Sequence, residues 1–343
     1  MASGVSKKWA VLSFGLVLFG GLLFLARMFL FIYRPADPVA PLERVLIREG
    51  ATLSEVATEL EHRKILRNRL LFLIWARAKG EGRRIKTGEY LLSASMPPSR
   101  ILVKLTRGEV MTHAVTIPEG WTRYQIARLL AVKGLVDERH FLSLCNDPGL
   151  VKAYGLEGET LEGFLYPDTY HFSLGLPARK IIDVMVKRFL EVIQPLGEAI
   201  KRSSLTLREV VTLASIVEKE TGRPEERPLI ASVFLNRLKR GMRLESDPTV
   251  IYGLSHFDGN LTRKDLHRPT PYNTYVIRGL PPGPIANPGL ASIRAVLFPE
   301  RTEYLYFVSK NDGTHHFSKT LREHNRAVSR YQKKRGKGHK KGS

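Results

Sequence analysis

From Trp9 to Ala26 the chain runs for 18 residues without a charge, and after Arg27 the apolar character resumes as far as Tyr33. Such a segment must be covered by lipid or by a large core, and a bilayer core takes roughly 20 apolar residues. A cleaved signal peptide has a shorter apolar centre, and no small-x-small cleavage site follows this one. A retained single-span anchor is therefore expected over residues 9–33. Lys7 and Lys8 precede it and Arg27 and Arg34 lie at its far end. The positive-inside rule then gives a mild vote for a cytoplasmic N-terminus, residues 1–8, with everything after Arg34 outside.

That placement settles what the charge means. Lys and Arg number 54 against 33 acidic residues, a net +21, which favours nucleic acid, anionic lipid or a cell-wall polymer. An extracytoplasmic body makes nucleic acid an unsuitable partner. Cys145 is the one cysteine, so no intramolecular disulfide and no thiolate metal cluster can form. With 343 residues, 43% of them hydrophobic, the chain has material for two or three cores.

Residues 34–41 carry Pro35, Pro38 and Pro41 and are expected to form a short stiff spacer. Two segments then resemble each other: Ile47-Arg-Glu-Gly50 with Thr52, and Ile117-Pro-Glu-Gly120 with Thr122. Each predicts a strand, a Gly turn and a helix started by a capping box, Thr52 with Glu55 and Thr122 with Gln125. Leu70 to Ala78 predicts a helix and Thr87 to Leu92 a strand. The resulting strand, helix, helix, strand order over 42–112 is similar to a LysM module, a small fold that holds N-acetylglucosamine polymers. Two copies about 70 residues apart do not make a solenoid.

Further on, Thr206 and Glu209 form another capping box, and Leu207, Val210, Val211, Ala214 and Val217 predict one apolar helix face. Tyr304 to Val308 and His315 to Ser318 alternate as strands around Asn311-Asp312-Gly313, and a last helix is expected from Thr320 to near Lys333. Residues 333–343 form a basic, Gly-interrupted tail. The expected class is α+β: an anchor helix, the small LysM-like module, and a larger domain over 113–332.

Glu218 continues the apolar line of that helix, eleven residues and so roughly three turns after Leu207. A carboxyl aimed inward loses hydration, which favours its protonated form, as a general acid requires. The same position equally suits a helix-end carboxylate paired with Arg223 or Arg227. Lys219 and Glu220 turn to other faces and are expected to be solvent-facing. Asp247 before Pro248 fits a helix N-cap. Tyr252, Asn273 and Tyr275 have side chains able to hydrogen-bond sugar acetamido and hydroxyl groups, and the tyrosine rings can cover a pyranose face. The Gly279 to Gly283 loop suits either the wall of a groove or plain architecture. His315, His316 and His324 lack metal-ligand spacing, and no metal site is expected.

Several stretches carry a more specific signal: Leu161-Glu-Gly-Phe-Leu-Tyr-Pro-Asp-Thr-Tyr170, Leu213-Ala-Ser-Ile-Val-Glu-Lys-Glu-Thr221, Ala231-Ser-Val-Phe-Leu-Asn-Arg-Leu238, Ser246-Asp-Pro-Thr-Val-Ile-Tyr252, Tyr272-Asn-Thr-Tyr275, Gly279-Leu-Pro-Pro-Gly-Pro-Ile285 and Asn287-Pro-Gly289. Together they resemble the MltG (YceG-like) family of endolytic murein transglycosylases across nearly the whole chain. The resemblance implies a YceG-like catalytic domain with Glu218 at the catalytic glutamate position. It further implies cleavage between N-acetylmuramic acid and N-acetylglucosamine with formation of 1,6-anhydromuramyl ends, and so an end to strand elongation, without a cofactor. Glycan strands, the membrane and peptidoglycan synthases are the partners it implies. Glu245 departs from the family, where a neutral Gln is expected, and so adds a second carboxylate near the cleft if the two are close. A muramidase using water, with Glu245 or Asp247 as second carboxylate, and a non-catalytic glycan-binding scaffold remain the alternatives.

Overall fold

The computed structural model describes residues 3–82 and 84–332, with side chains from residue 14 onward. The basic tail and the side chains of Lys7 and Lys8 lie outside what is described. The chain divides into two compact units: Met1–Ala114 with His171–Pro177, and Val115–Tyr170 with the residues from Ala178 on.

The first unit begins with α1 (Ser3–Tyr33), a helix whose residues from Phe14 on are apolar apart from Arg27. Its Phe14–Tyr33 portion has 20 residues with a mean hydropathy of 2.3, and side chains such as Leu16 and Leu22 stand exposed. An exposed apolar surface of that length is compatible with a membrane anchor. The last turn is different, because Met28 is buried in the unit's core and Phe31 and Ile32 pack against it. The proline-rich segment after it is docked: the Asp37 N–H donates to Ala94 O at 2.9 Å, and the Arg67 guanidinium donates to Ala36 O.

Next come β1 (Glu43–Ile47), α2 (Leu53–His62), α3 (Arg69–Ala78), β2 (Gly88–Leu92) and α4 (Pro98–Arg107). Strands β1 and β2 pair antiparallel, from Glu43 opposite Leu92 to Ile47 opposite Gly88. Val45, Leu60, Phe72, Tyr90 and Leu105 are fully buried between them and the helices. Each such aliphatic or phenyl side chain contributes roughly 1.5–3 kcal/mol of burial. The Thr52 capping box starts α2 as expected.

β3 (His113–Thr116) carries the chain onward to α5 (Arg123–Val132), α6 (Glu138–Cys145) and α7 (Pro148–Ala153), and β4 (Thr169–Phe172) pairs with β3. The second unit continues through α8 (Ala178–Ile193), α9 (Gly197–Arg202), α10 (Leu207–Glu220), α11 (Arg227–Lys239), α12 (Asp247–Gly253), α13 (Arg263–Leu266) and α14 (Leu290–Leu297). The hairpin β5 (Tyr306–Ser309) and β6 (His315–Ser318) and the helix α15 (Leu321–Tyr331) complete it.

Helix α10 is the centre of this unit. Its expected one-sided apolar stripe is exceeded: every residue from Val210 to Val217 is buried, because α11, α12 and α14 pack around it. Thr212 and Ser215 tolerate this by donating their hydroxyls back to Arg208 O and Thr212 O, both at 2.7 Å. The β5–β6 turn uses Asn311 and Gly313 in the left-handed region, φ 64° and 84°.

Candidate active site

Successive residues of a helix project about 100° apart, so the last turn of α10 sends Glu218, Lys219 and Glu220 in three directions. Glu218 goes into the protein, its side chain 5% exposed. One oxygen accepts from Arg227 Nη2 at 2.9 Å and the other from the Gly289 N–H at 3.0 Å. Arg227 opens α11 and Gly289 caps α14, so this carboxylate ties three helix ends together. Glu119 reaches the same guanidinium at 3.5 Å. Its carboxyl is raised by burial and by repulsion from Glu218, with Arg227 opposing. A Cβ on Gly289 would collide with the Glu119 carboxylate, so a side chain there requires Glu119 to move.

Glu220 is not solvent-facing, contrary to expectation. Part of the residue touches solvent, but its carboxyl is enclosed and accepts from the Ser246 hydroxyl at 2.5 Å. Burial pushes it up to about 7; the Ser246 bond works against this and the charge of Asp247 adds to it. The carboxyl lies at a cavity of about 250 Å³ that Glu245, Asp247, Tyr275 and His324 also line. The helix pattern missed Glu220 because the cover comes from α12, the 273–275 loop and β5, all distant in sequence.

The lining is held rigidly. The Glu245 N–H donates to Thr274 O at 3.2 Å, the Ser246 N–H to Thr274 Oγ1 at 3.0 Å, and the Thr249 and Thr274 hydroxyls are 2.8 Å apart. Glu245 has φ 53°, a strained left-handed value for a residue with a side chain, and its carboxylate pairs with Arg237 at 3.0 Å. Asp247 does not cap α12: Ser246 holds that position without a side-chain cap bond, and the Asp247 carboxylate instead accepts from Tyr275 OH at 2.6 Å. His324 stacks on Tyr306 with ring centroids 5.3 Å apart, and burial keeps its imidazole below the usual histidine range. His315 is paired elsewhere, with Glu226 at 2.7 Å.

Asn273, expected as a sugar contact, is fully buried and lines neither this cavity nor the cleft described next. Its amide donates to the carbonyls of Asp265, Leu266 and Arg268, and its oxygen accepts from the Tyr275 N–H at 2.9 Å. It shapes the loop that presents Tyr275. Tyr252 lines a second cleft, of about 880 Å³, together with Tyr124, Lys219, Pro248 and Phe257. Its hydroxyl donates to Glu162 at 3.0 Å. Glu162 is a buried hub that sequence reasoning did not single out: it also accepts from the Arg123 guanidinium at 2.9 Å and from Asn287 Nδ2 at 3.0 Å. The Gly279 to Gly283 loop is fastened by Arg208 to Pro282 O.

Residues 45–330 match the YceG-like family. The chain belongs to that family. It is 33% identical over 301 residues to the endolytic murein transglycosylase of Bacillus subtilis (strain 168), covering 83% of each chain. Against the endolytic murein transglycosylase of Streptococcus pneumoniae serotype 2 (strain D39 / NCTC 7466) it is 30% identical over 317 residues, 83% of this chain and 57% of that one. The crystal structure of a YceG-like protein of Listeria monocytogenes superposes with a TM-score of 0.59 at 36% identity, covering 84% of this chain and 99% of the other. In this YceG-like chain, residues far apart in sequence meet at the end of α10. Ser246 and Gly289, distant in sequence, donate to the two glutamates at the end of α10, and Asn287, two residues before Gly289, donates to Glu162.

Proposed function

We propose that this chain is an endolytic murein transglycosylase that cuts the bond between N-acetylmuramic acid and N-acetylglucosamine within peptidoglycan strands, with Glu220 as its acid and base. The observation that carries this is the place of the Glu220 carboxyl, at a cavity that Asp247 and Tyr275 also line and bonded to the Ser246 hydroxyl, where burial raises it to about 7. Near neutral pH such a group is present in both protonation states, and the reaction needs each in turn. Glu220 gives its proton to the glycosidic oxygen, the C1–O bond breaks, and the muramyl ring gains oxocarbenium character. The carboxylate then takes the proton of the muramyl 6-hydroxyl as that oxygen bonds to C1 and closes the 1,6-anhydro ring. The nucleophile is intramolecular, so one carboxyl serves where other glycosidases use two, and no cofactor is needed.

Glu218, where the resemblance puts the catalytic glutamate, is the second reading, and its sharing of Arg227 with Glu119 favours it. Against it, both its oxygens accept from fixed donors, Arg227 and the Gly289 N–H, so the group also serves to tie three helix ends together. A water-using muramidase is supported only by the presence of Asp247 and Glu245 beside Glu220. The body after α1 is assigned to the outer side of the cytoplasmic membrane, with residues 42–112 as a LysM-like glycan-holding module and 113–332 as the catalytic domain. Cleavage there would end strand growth, beside the synthases that extend the strand.

Glu220→Gln and Glu218→Gln separate the two glutamates. With purified strands, Glu220→Gln is expected to make no new ends while remaining folded, and Glu218→Gln to keep cutting in proportion to its folded fraction. The reverse pattern would move the chemistry to Glu218.

A further inference from the structure

Lys219 stands between the two glutamates and turns to a third side. It is exposed, its Nζ donates to Gly120 O at 3.3 Å, and no carboxylate among the described residues lies within ion-pair distance of it. Among the described residues it is the one charged residue lining the 880 Å³ cleft, whose other walls are Tyr124, Tyr252, Phe257, aliphatic side chains and neutral polar groups. Tyr124 and Phe257 remain 49% and 38% exposed, large apolar surface of the kind a ligand covers.

The neighbouring cavity has the opposite character, with Glu220, Glu245 and Asp247 in its lining. The two hollows open on either side of the first turn of α12, Asp247 lining one and Pro248 the other. Arg237 also lines that cavity, but it pairs with Glu245 at 3.0 Å and leaves Glu220 and Asp247 without a cation within ion-pair distance among the described residues, whereas the cleft one residue away on α10 carries the cation of Lys219. Murein has a matching division: its sugar ring bearing the scissile bond is uncharged, whereas the peptide stem on each muramyl lactyl group carries carboxylates. A stem carboxylate would be repelled from the Glu220 cavity and attracted to the Lys219 cleft.

We propose that the Lys219 cleft is a second binding site that takes the acidic peptide stem of a muramyl residue, with Lys219 pairing a stem carboxylate. The inference rests on the murein reading above and adds its peptide specificity. Tyr124 and Phe257 supply contact area and Lys219 the charge selection. An exposed ion pair of this kind changes affinity by about fivefold at most.

The test is equilibrium binding to the full-length protein of N-acetylglucosaminyl-N-acetylmuramyl-L-Ala-D-Glu, which lacks the scissile bond and so survives. The control ligand is the same molecule with both glutamate carboxylates converted to carboxamides. The acidic ligand is expected to bind about fivefold more tightly than the neutral one at low salt. Lys219→Ala should erase that preference and Lys219→Arg retain it. A preference that survives Lys219→Ala, or equal binding of both ligands by the unaltered protein, overturns the assignment and leaves the murein reading intact. Binding of neither ligand at millimolar concentration overturns both.

Discussion

The hydroxyl of Ser246 donates to the carboxyl of Glu220 across 2.5 Å, joining the entry to α12 to the end of α10. That bond and the nearby Asp247 charge act on Glu220 in opposite senses. The bond favours the ionised form and Asp247 disfavours it, while burial dominates both.

Opposite shifts in the pH profile should follow. The rate at subsaturating substrate should fall as pH rises through about 7, because the acid loses its proton. Ser246→Ala removes a bond to the charged form and should move that limb to higher pH. Asp247→Asn removes a repelling charge and should move it to lower pH without abolishing cleavage. Loss of all cleavage in Asp247→Asn with an unchanged melting curve would make Asp247 a second catalyst.

Stability should carry the same signature. The folded-state value of Glu220 lies above its ordinary 4.5, so the folded protein binds the extra proton and loses stability as pH rises from about 4.5 through about 7. The loss amounts to up to about 3 kcal/mol. Glu220→Gln cannot ionise, so above pH 7 it should have a higher denaturant midpoint than the unaltered protein. Equal midpoints at pH 5 and pH 8 in both proteins would contradict the enclosed carboxyl.

Glu218→Gln should act on folding. It leaves Arg227 buried without its close charge partner, and breaking a pair of this kind costs about 3 kcal/mol. Denaturant titration measures this directly; an unchanged midpoint would mean that Glu218 does not hold α11 and α14 to α10.

Much of the architecture was legible because it is set locally. Thr52, Thr122 and Thr206 each formed the capping box their spacing announced, and Asn311-Asp312-Gly313 made its turn. The site was less legible because its cover is not local. A helical wheel orients Glu218 and Glu220 against their own turn, yet Ser246, which encloses Glu220, lies 26 residues away. Asp247-Pro248 has the composition of a cap, but Tyr275 engages the carboxylate first. Asn273 has the donors a sugar would want and spends them on three backbone carbonyls at and just after the end of α13. The Arg227 pairing of Glu218 was legible because the two lie only nine residues apart.

The anchor has its own test, motivated by the exposed apolar surface of Phe14–Tyr33. A reporter active only in the cytoplasm, fused after Ser343, should be silent while the protein fractionates with membranes. Cytoplasmic activity of that reporter would reverse the orientation.

The most direct measurement is digestion of purified glycan strands in isotopically labelled water, followed by mass spectrometry of the new ends. Attack by the muramyl 6-hydroxyl yields 1,6-anhydromuramyl ends with no solvent oxygen, released from the interior of long strands and absent with Glu220→Gln. Labelled reducing ends as the sole product would contradict the transglycosylase assignment and establish a water-using muramidase, and glycan binding without any new ends would leave only a scaffold.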